Sequence, residues 1–224
     1  MKRETLRSII TILVRLLSTV EYRGTEHVPP EGGLVITTNH MSRVDTLLLF
    51  INPVRTDITA LVATKYLKYP LFKWILNTGG IVWLERDTAD FTAFRLAVDE
   101  IKAGKALGIA PEGTRSQTGE LQEGKPGAIL LAMKTNVPIV PVAIAGTETF
   151  FKKLFTLRRP KVKITFGPAY MLPALDRSNR DESLKRMAEE VMLRIAILLP
   201  PKYWGVYKDN PRLKEMLENK SQYV

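Results

Sequence analysis

The sequence predicts a single α/β domain, an αβ sandwich built around a mostly parallel central sheet. Short apolar runs typical of buried strands alternate with segments in which apolar residues recur at helical spacing. Each connection between these runs is long enough for the crossover that joins parallel strands. No linker, internal repeat or low-complexity tract divides the 224 residues. The predicted strands are 34–38, 58–63, 81–84, 106–110, 137–144 and 161–166.

Residues 1–20 predict an amphipathic helix that precedes the domain formed by residues 21–224. Apolar residues recur there at helical spacing, and Arg7 and Arg15 interrupt them. The uninterrupted stretch between these arginines is far shorter than the roughly 20 apolar residues that span a bilayer. The pattern therefore predicts a basic helix that lies in the membrane interface. Packing of this helix on the domain's own core explains the same spacing equally well.

The remaining helices are predicted between the strands, and proline or glycine ends several of them. Asn52-Pro53 ends a helix that begins near Ser42, and Gly104 ends the helix 87–103. The run 137–144 is apolar throughout, as in a strand covered on both faces, but its two prolines predict a position near the edge of the sheet. The other predicted helices are 67–76, 124–133 and 182–199.

Composition excludes several kinds of chemistry. The chain has no cysteine and two histidines, so it has no thiol nucleophile and no cysteine-rich or histidine-rich metal site, and we predict neither metal nor bound cofactor. Its net charge of +10 predicts attraction to an anionic partner. Zinc-finger spacing, ribonucleoprotein motifs and long basic runs are missing from the sequence, which argues against nucleic acid. The charge alone also fits a solvated protein surface.

The strongest candidate for catalysis is the pair His40 and Asp45. His40 follows the predicted strand 34–38, in a turn before a helix, and Asp45 is in the first turn of that helix. The carboxylate could bind one ring nitrogen and fix the tautomer, so that the other nitrogen can take a proton from a hydroxyl group. The same residues also fit a capping box, Ser42-x-x-Asp45 before an apolar run, which would need no catalysis.

Two further polar clusters follow predicted strands, namely Arg86 and the segment Glu112-Gly113-Thr114-Arg115. The carboxyl ends of parallel strands share one edge of a sheet, so these clusters are expected near His40. Two arginines there favour a phosphate or carboxylate ligand. The charge of Glu112 would repel such an anion, so we expect it to hold Arg115 or to accept a hydrogen bond from a substrate hydroxyl. Taken alone, Arg86-Asp87 also fits an exposed ion pair, and residues 111–114 fit a plain turn.

From about residue 20 to 207 the sequence resembles the glycerolipid acyltransferases, the family typified by 1-acylglycerol-3-phosphate acyltransferase. Two positions depart from the family pattern: Trp83 stands where an aromatic residue such as phenylalanine is usual, and Ala110 stands where the family often has phenylalanine. Both are next to the predicted site, so they bear on packing and on the acceptor pocket. The motifs that carry the resemblance are Asn39-His40-x-Ser42-x-x-Asp45, Gly80-x-x-Trp83-Leu84-x-Arg86, Pro111-Glu112-Gly113-Thr114-Arg115-Ser116, Val137-Pro138-Ile139-Val140-Pro141 and the closing segment 201–207.

The resemblance implies acyl transfer without an acyl-enzyme or a cofactor. His40, oriented by Asp45, would deprotonate the sn-2 hydroxyl of lysophosphatidic acid, which attacks the thioester of acyl-CoA or acyl-carrier protein. The product would be phosphatidic acid. The acceptor phosphate would be held by Arg86, Glu112, Gly113, Thr114 and Arg115.

The resemblance also implies a location at the membrane, and it leaves alternatives for the acceptor substrate open. A lipid acceptor implies a peripheral or monotopic protein on the membrane surface, and the basic charge suits the anionic cytoplasmic leaflet. The same catalytic dyad, His40 and Asp45, could activate another acceptor, such as glycerol 3-phosphate or a different lysophospholipid. A non-catalytic basic protein that binds anionic lipid or nucleic acid is a further alternative.

Overall fold

The computed structural model describes residues 1–85 and 90–224, and its centre is a mostly parallel sheet, as the sequence predicts. In these residues the strands follow the order β1-β7-β6-β2-β5-β3-β4. Strands β6, β2, β5, β3 and β4 are parallel, whereas β7 is antiparallel to β6, and β1 pairs in parallel with β7. The strands are β1 (Thr19–Arg23), β2 (Leu34–Thr38), β3 (Thr59–Ala63), β4 (Val82–Leu84), β5 (Ala106–Ile109), β6 (Ile139–Ala145) and β7 (Lys161–Phe166).

Helices cover both faces of this sheet. Those predicted from sequence form, and α6 and α8 are additional; the predicted start of the helix 87–103 lies outside the described residues. Short 3-10 turns occupy Thr25–His27, Thr64–Tyr66, Pro201–Tyr203, Gly205–Tyr207 and Lys220–Gln222. The helices of the described residues are α1 (Arg3–Leu17), α2 (Val44–Phe50), α3 (Pro70–Thr78), α4 (Phe91–Lys102), α5 (Gly127–Thr135), α6 (Phe150–Phe155), α7 (Arg180–Ala196) and α8 (Pro211–Glu218).

The central strand β2 separates two hydrophobic cores. Its five residues are all buried, and alternate side chains point to opposite faces of the sheet. Val35 joins the core under α4, α5, α7 and α8, whereas Leu34 and Ile36 join the core under α1, α2 and α6. Burial on both faces makes β2 a rigid support for whatever follows Thr38.

The prediction that the proline-rich strand lies near an edge is wrong, because β6 lies between β7 and β2. Pro138 precedes the strand, and Pro141 lies opposite Thr37 of β2. The carbonyl of Pro141 accepts a hydrogen bond of 2.8 Å from the N–H of Gly167, one residue beyond the end of β7. Proline has no N–H, and an N–H at position 141 would point to the same side as this carbonyl, toward β7. Because β7 ends at Phe166, the missing N–H removes no hydrogen bond between β6 and β7.

Helix α1 packs on the domain and also exposes apolar side chains. Leu6, Ile10 and Val14 form a buried stripe at i, i+4 and i+8 that joins the core of α2 and α6. The guanidinium groups of Arg3 and Arg7 donate hydrogen bonds to the carbonyl groups of Gly79, Ile58, Phe50 and Asn52. A second stripe remains exposed and consists of Ile9, Ile12, Leu13, Leu16 and Leu17. Within the described residues no helix combines the length and the apolar content needed to cross a membrane.

Candidate active site

The loops that follow β2 and β5 meet at one edge of the sheet, as the topology predicts. Strands β2 and β5 are hydrogen-bonded neighbours, so residues after Thr38 and after Ile109 emerge side by side. The backbone N–H of Ser116 donates to the carbonyl of His40 at 2.8 Å. The backbone N–H of His40 donates to Glu112 Oε1 at 3.0 Å. Two motifs about 70 residues apart in sequence therefore form one compact structure.

His40 and Asp45 form the contact that the sequence predicts for a general base. The distance from His40 Nδ1 to Asp45 Oδ2 is 3.0 Å. A carboxylate can only accept, so Nδ1 carries the hydrogen, and in the neutral form of the ring Nε2 has the free lone pair. The Asp45 side chain is 2% exposed and that of His40 is 18% exposed. The carboxylate is thus shielded from water while the ring borders the cavity described below.

The capping-box interpretation of the same residues also has support in the structure. Asp45 Oδ2 accepts the backbone N–H groups of Met41 and Ser42, each at 2.7 Å. The bond from Ser42 N–H is one half of a capping box, and the hydroxyl of Ser42 is 3.4 Å from the N–H of Val44. One oxygen atom of Asp45 therefore stabilises the turn before α2 and orients the imidazole at the same time.

Asn39 also fixes the position of His40, a role that was not predicted from the sequence. Its side chain is buried and forms two hydrogen bonds of 2.8 Å with the backbone of Ile144 in β6. The amide Nδ2 donates to the carbonyl of Ile144, and Oδ1 accepts from its N–H. The residue before His40 is thereby attached to the neighbouring strand. An asparagine directly after a short strand of apolar and β-branched residues is the sequence signal for such a contact.

Glu112 contacts the backbone and, within the described residues, forms no hydrogen bond or ion pair with Arg115. Its oxygens accept the N–H of His40 and, at 3.3 Å, the N–H of Gln122. The residue is 2% exposed, and burial raises the pKa of its carboxyl group to about 7. The expectation that Glu112 holds Arg115 is not what these contacts show; Glu112 joins the His40 loop to the segment after β5.

The other predicted binding residues are arranged differently around the site. Gly113 and Thr114 are exposed and line the cavity, whereas Arg115 is partly buried and does not line it. The φ angle of Gly113 is 71°, in the left-handed region that favours glycine. Arg86 lies outside the described residues. Lys125, which was not predicted as a site residue, lines the cavity beside Gly113.

A cavity of about 520 Å³ extends from His40 between α2, α3 and the sheet. This volume is within the usual range of ligand sites. His40, Asp45, Thr114 and Lys125 lie at its polar end. In the part of the chain that the structure describes, no group of three or more potential metal ligands occurs. The rest of the lining is largely apolar and reaches α1. It includes Leu6, Leu47, Leu49, Phe50, Ile58, Ala60, Leu61, Ile75, Leu76 and Gly108.

Several known proteins resemble this chain in sequence. A protein named 1-acyl-sn-glycerol-3-phosphate acyltransferase from Borreliella burgdorferi is 30% identical over 132 residues, which are 58% of this chain and 52% of that protein. A protein of the same name from Saccharomyces cerevisiae is 34% identical over 136 residues, 58% of this chain and 44% of that protein. The chain thus spans about half the length of these relatives.

The fold has a match among solved structures. The 1-acyl-sn-glycerophosphate (LPA) acyltransferase PlsC from Thermotoga maritima superposes with a TM-score of 0.62 at 24% identity, over 84% of this chain and 79% of that one. This likeness is one of fold. The family described as Acyltransferase matches residues 19–145, which is more than half of the chain and includes His40, Asp45 and the segment 112–115. The chain therefore belongs to the Acyltransferase family.

Proposed function

We propose that this protein transfers an acyl chain from acyl-CoA or acyl-carrier protein to the sn-2 hydroxyl of 1-acylglycerol 3-phosphate, giving phosphatidic acid. The observation that carries the proposal is the contact of 3.0 Å between His40 Nδ1 and Asp45 Oδ2 at the polar end of a cavity. Membership of the Acyltransferase family supports it. The names of the relatives support the choice of acceptor.

In the proposed reaction His40 Nε2 takes the proton of the acceptor hydroxyl as its oxygen attacks the thioester carbonyl. Asp45 stabilises the imidazolium that forms, because its carboxylate accepts the Nδ1 hydrogen. Collapse of the tetrahedral intermediate breaks the carbon–sulfur bond. The leaving thiolate then takes the proton from His40 Nε2, so His40 and Asp45 return to their starting protonation states. The acceptor is the nucleophile, which fits a chain without cysteine.

The apolar part of the cavity supports a place for an acyl chain. Side chains of α2, α3 and β3 line it, and Gly108 of β5 leaves room at its floor. An alkyl chain buried there gains roughly 0.8 kcal/mol per methylene group removed from water. Such a chain would extend from the dyad toward Leu6 of α1.

Cationic groups near the dyad support the binding of the acceptor phosphate. Lys125 and the exposed loop Gly113-Thr114 line the polar end of the cavity. In this proposal Lys125, Arg86 and Arg115 supply positive charge, the backbone at Gly113 approaches the phosphate closely, and Glu112 keeps the loop in place.

The lipid acceptor and the diacyl product both belong in a bilayer, so we propose peripheral or monotopic attachment to the anionic cytoplasmic leaflet. The exposed stripe of α1 and the net charge of +10 support this attachment. The names of the relatives, which describe acyltransferases of a lysophospholipid, agree with it.

The proposal is tested with purified protein, lysophosphatidic acid and a panel of acyl-CoA and acyl-carrier-protein donors, with phosphatidic acid as the readout. Glycerol 3-phosphate and other lysophospholipids serve as competing acceptors. Faster acylation of one of these would reassign the acceptor. A protein that forms no ester with any acceptor, and binds lipid equally well with and without His40, would be a binding protein instead.

A further inference from the structure

Helix α6 and the turn after it form an exposed surface that the proposed reaction does not use. Phe150 and Leu154 attach the helix to the core of α1 and α2. Phe151 and Phe155, each one residue further along, project away from the core and are 48% and 86% exposed. Residues four apart share a helix face, so the two phenylalanine rings form one apolar strip.

Leu157 adds to this strip in an unfavourable backbone conformation. The end of α6 is a Schellman motif: the N–H of Leu157 donates to the carbonyl of Leu154 at 3.1 Å, and the N–H of Arg158 donates to that of Lys153 at 2.9 Å. Glycine is the usual residue at the left-handed position of this motif, yet here Leu157 has a φ of 53°. Its side chain is 98% exposed, so no packing within the protein compensates the strain.

Basic side chains surround these apolar ones. Lys152, Lys153, Arg158 and Arg159 all lie within α6 and the following turn. In residues 1–85 and 90–224 none of the four forms an ion pair with a carboxylate. Exposed aromatic and leucine side chains flanked by unpaired cations complement an anionic lipid surface, whose headgroups attract the charges while the acyl region takes the apolar groups.

The surface also continues the exposed stripe of α1. The guanidinium of Arg159 donates hydrogen bonds to the carbonyl of Arg15 and, at 3.2 Å, to that of Ser18. The turn after α6 is thereby attached to the end of α1, where Leu16 and Leu17 are exposed. Since α6 follows β6, it lies at the edge of the sheet where β2 leads to His40.

We propose that residues 151–159 are a second membrane-contact element: Phe151, Phe155 and Leu157 enter the interface of an anionic bilayer, and Lys152, Lys153 and Arg158 lie among its headgroups. This element and α1 together orient the edge that carries His40 toward the lipid. The inference uses the proposed function only for the lipid nature of the substrate.

The test is flotation of the full chain with vesicles, in the absence of acceptor and donor. Vesicles of phosphatidylcholine are compared with vesicles of phosphatidylcholine and phosphatidylglycerol in equal parts. Phe155→Ser with Leu157→Gly should weaken partition into both by about tenfold, because apolar area is lost. Lys152→Gln with Arg158→Gln should weaken only partition into anionic vesicles, by about fivefold per charge, and this loss should disappear at high salt.

Two controls separate this role from a structural one. Leu157→Gly alone should raise the thermal midpoint, since glycine relieves the strain, while it weakens vesicle binding; a residue kept for stability would show the opposite midpoint shift. Val206→Ser changes an exposed side chain next to Tyr207, which belongs to the core on the other face of the sheet, and should leave binding unchanged.

Unchanged partition of the Phe155→Ser, Leu157→Gly protein would overturn the proposal. So would a concentration-dependent dimer that this variant dissociates, because a second copy would then cover the strip. Vesicle binding needs no turnover, so the two proposals are tested separately. A protein that binds vesicles as described but forms no phosphatidic acid would refute the proposed reaction and would still support the membrane-contact element.

Discussion

Glu112 Oε1 accepts the backbone N–H of His40 at 3.0 Å, so a buried carboxyl group after β5 holds the loop after β2 that carries His40. Burial raises the pKa of this group to about 7, above the ordinary value of 4.5. Between these values the folded protein keeps the proton that the unfolded chain releases. The contribution of Glu112 to the free energy of unfolding therefore falls as the pH rises from about 4.5 to about 7, by up to roughly 3 kcal/mol.

Glu112→Gln should remove this pH dependence, because glutamine does not titrate. The free energy of unfolding, measured in urea at several pH values, should fall less steeply toward pH 7 than in the unmodified protein. Glu123→Gln, at an exposed position, is the matched control and should keep the original slope. Identical slopes for Glu112→Gln and the unmodified protein would contradict the assignment.

Removing the imidazole should abolish most of the acyl transfer without loss of the fold. His40→Ala leaves Asp45 Oδ2 bound to two backbone N–H groups, so α2 keeps its start. We expect acyl transfer to fall by roughly 10² to 10⁴. The assay is phosphatidic acid formation, with circular dichroism to check folding. Near-normal turnover by folded His40→Ala protein would exclude the general-base mechanism.

The two roles of Asp45 can be separated with two variants. Asp45→Asn keeps an oxygen for the N–H groups of Met41 and Ser42, so stability should change little while turnover falls. Asp45→Ala loses both roles and should also lower the free energy of unfolding by about 2 to 4 kcal/mol. Equal stability of the two variants would show that the backbone contacts contribute little.

The cavity predicts a dependence on acyl-chain length. A Cβ at Gly108 would meet Ile58, Leu49 and Thr59 at 3.5 to 3.6 Å, so Gly108→Ala should be tolerated. Gly108→Val places further methyl groups in the cavity and should lower kcat/KM for long acyl donors at least about tenfold relative to short ones. Parallel loss for all chain lengths would mean that the acyl chain lies elsewhere.

The positions of the cationic side chains predict an order of effects on acceptor binding. Lys125 lines the cavity and Arg115 does not, so Lys125→Gln should raise the KM for lysophosphatidic acid more than Arg115→Gln does. We expect about tenfold or more for Lys125, as one charge-assisted phosphate contact is lost. The control is an acceptor without phosphate, for which the KM should not change. A larger effect at Arg115 would restore it as the main phosphate contact.

Much of the fold follows from local sequence patterns. Apolar runs and glycine or proline stops predict β2, β5 and the helices between them, since both signals act over a few residues. The position of β6 inside the sheet could not be predicted this way. Whether Pro141 is tolerated depends on where β7 ends, and β7 lies some 20 residues further along the chain.

The sequence by itself determined the chemistry that is available: a histidine and a carboxylate at fixed spacing after a buried strand, no thiol, and an excess of positive charge. Only the tertiary structure decided that Glu112 holds the His40 loop, that Lys125 faces the cavity, and that α1 both packs and remains partly exposed. The physical reason is the sequence distance over which each effect acts. Residue type and periodicity are local properties, whereas a hydrogen bond across the sheet depends on strand order and register, which the whole chain sets together.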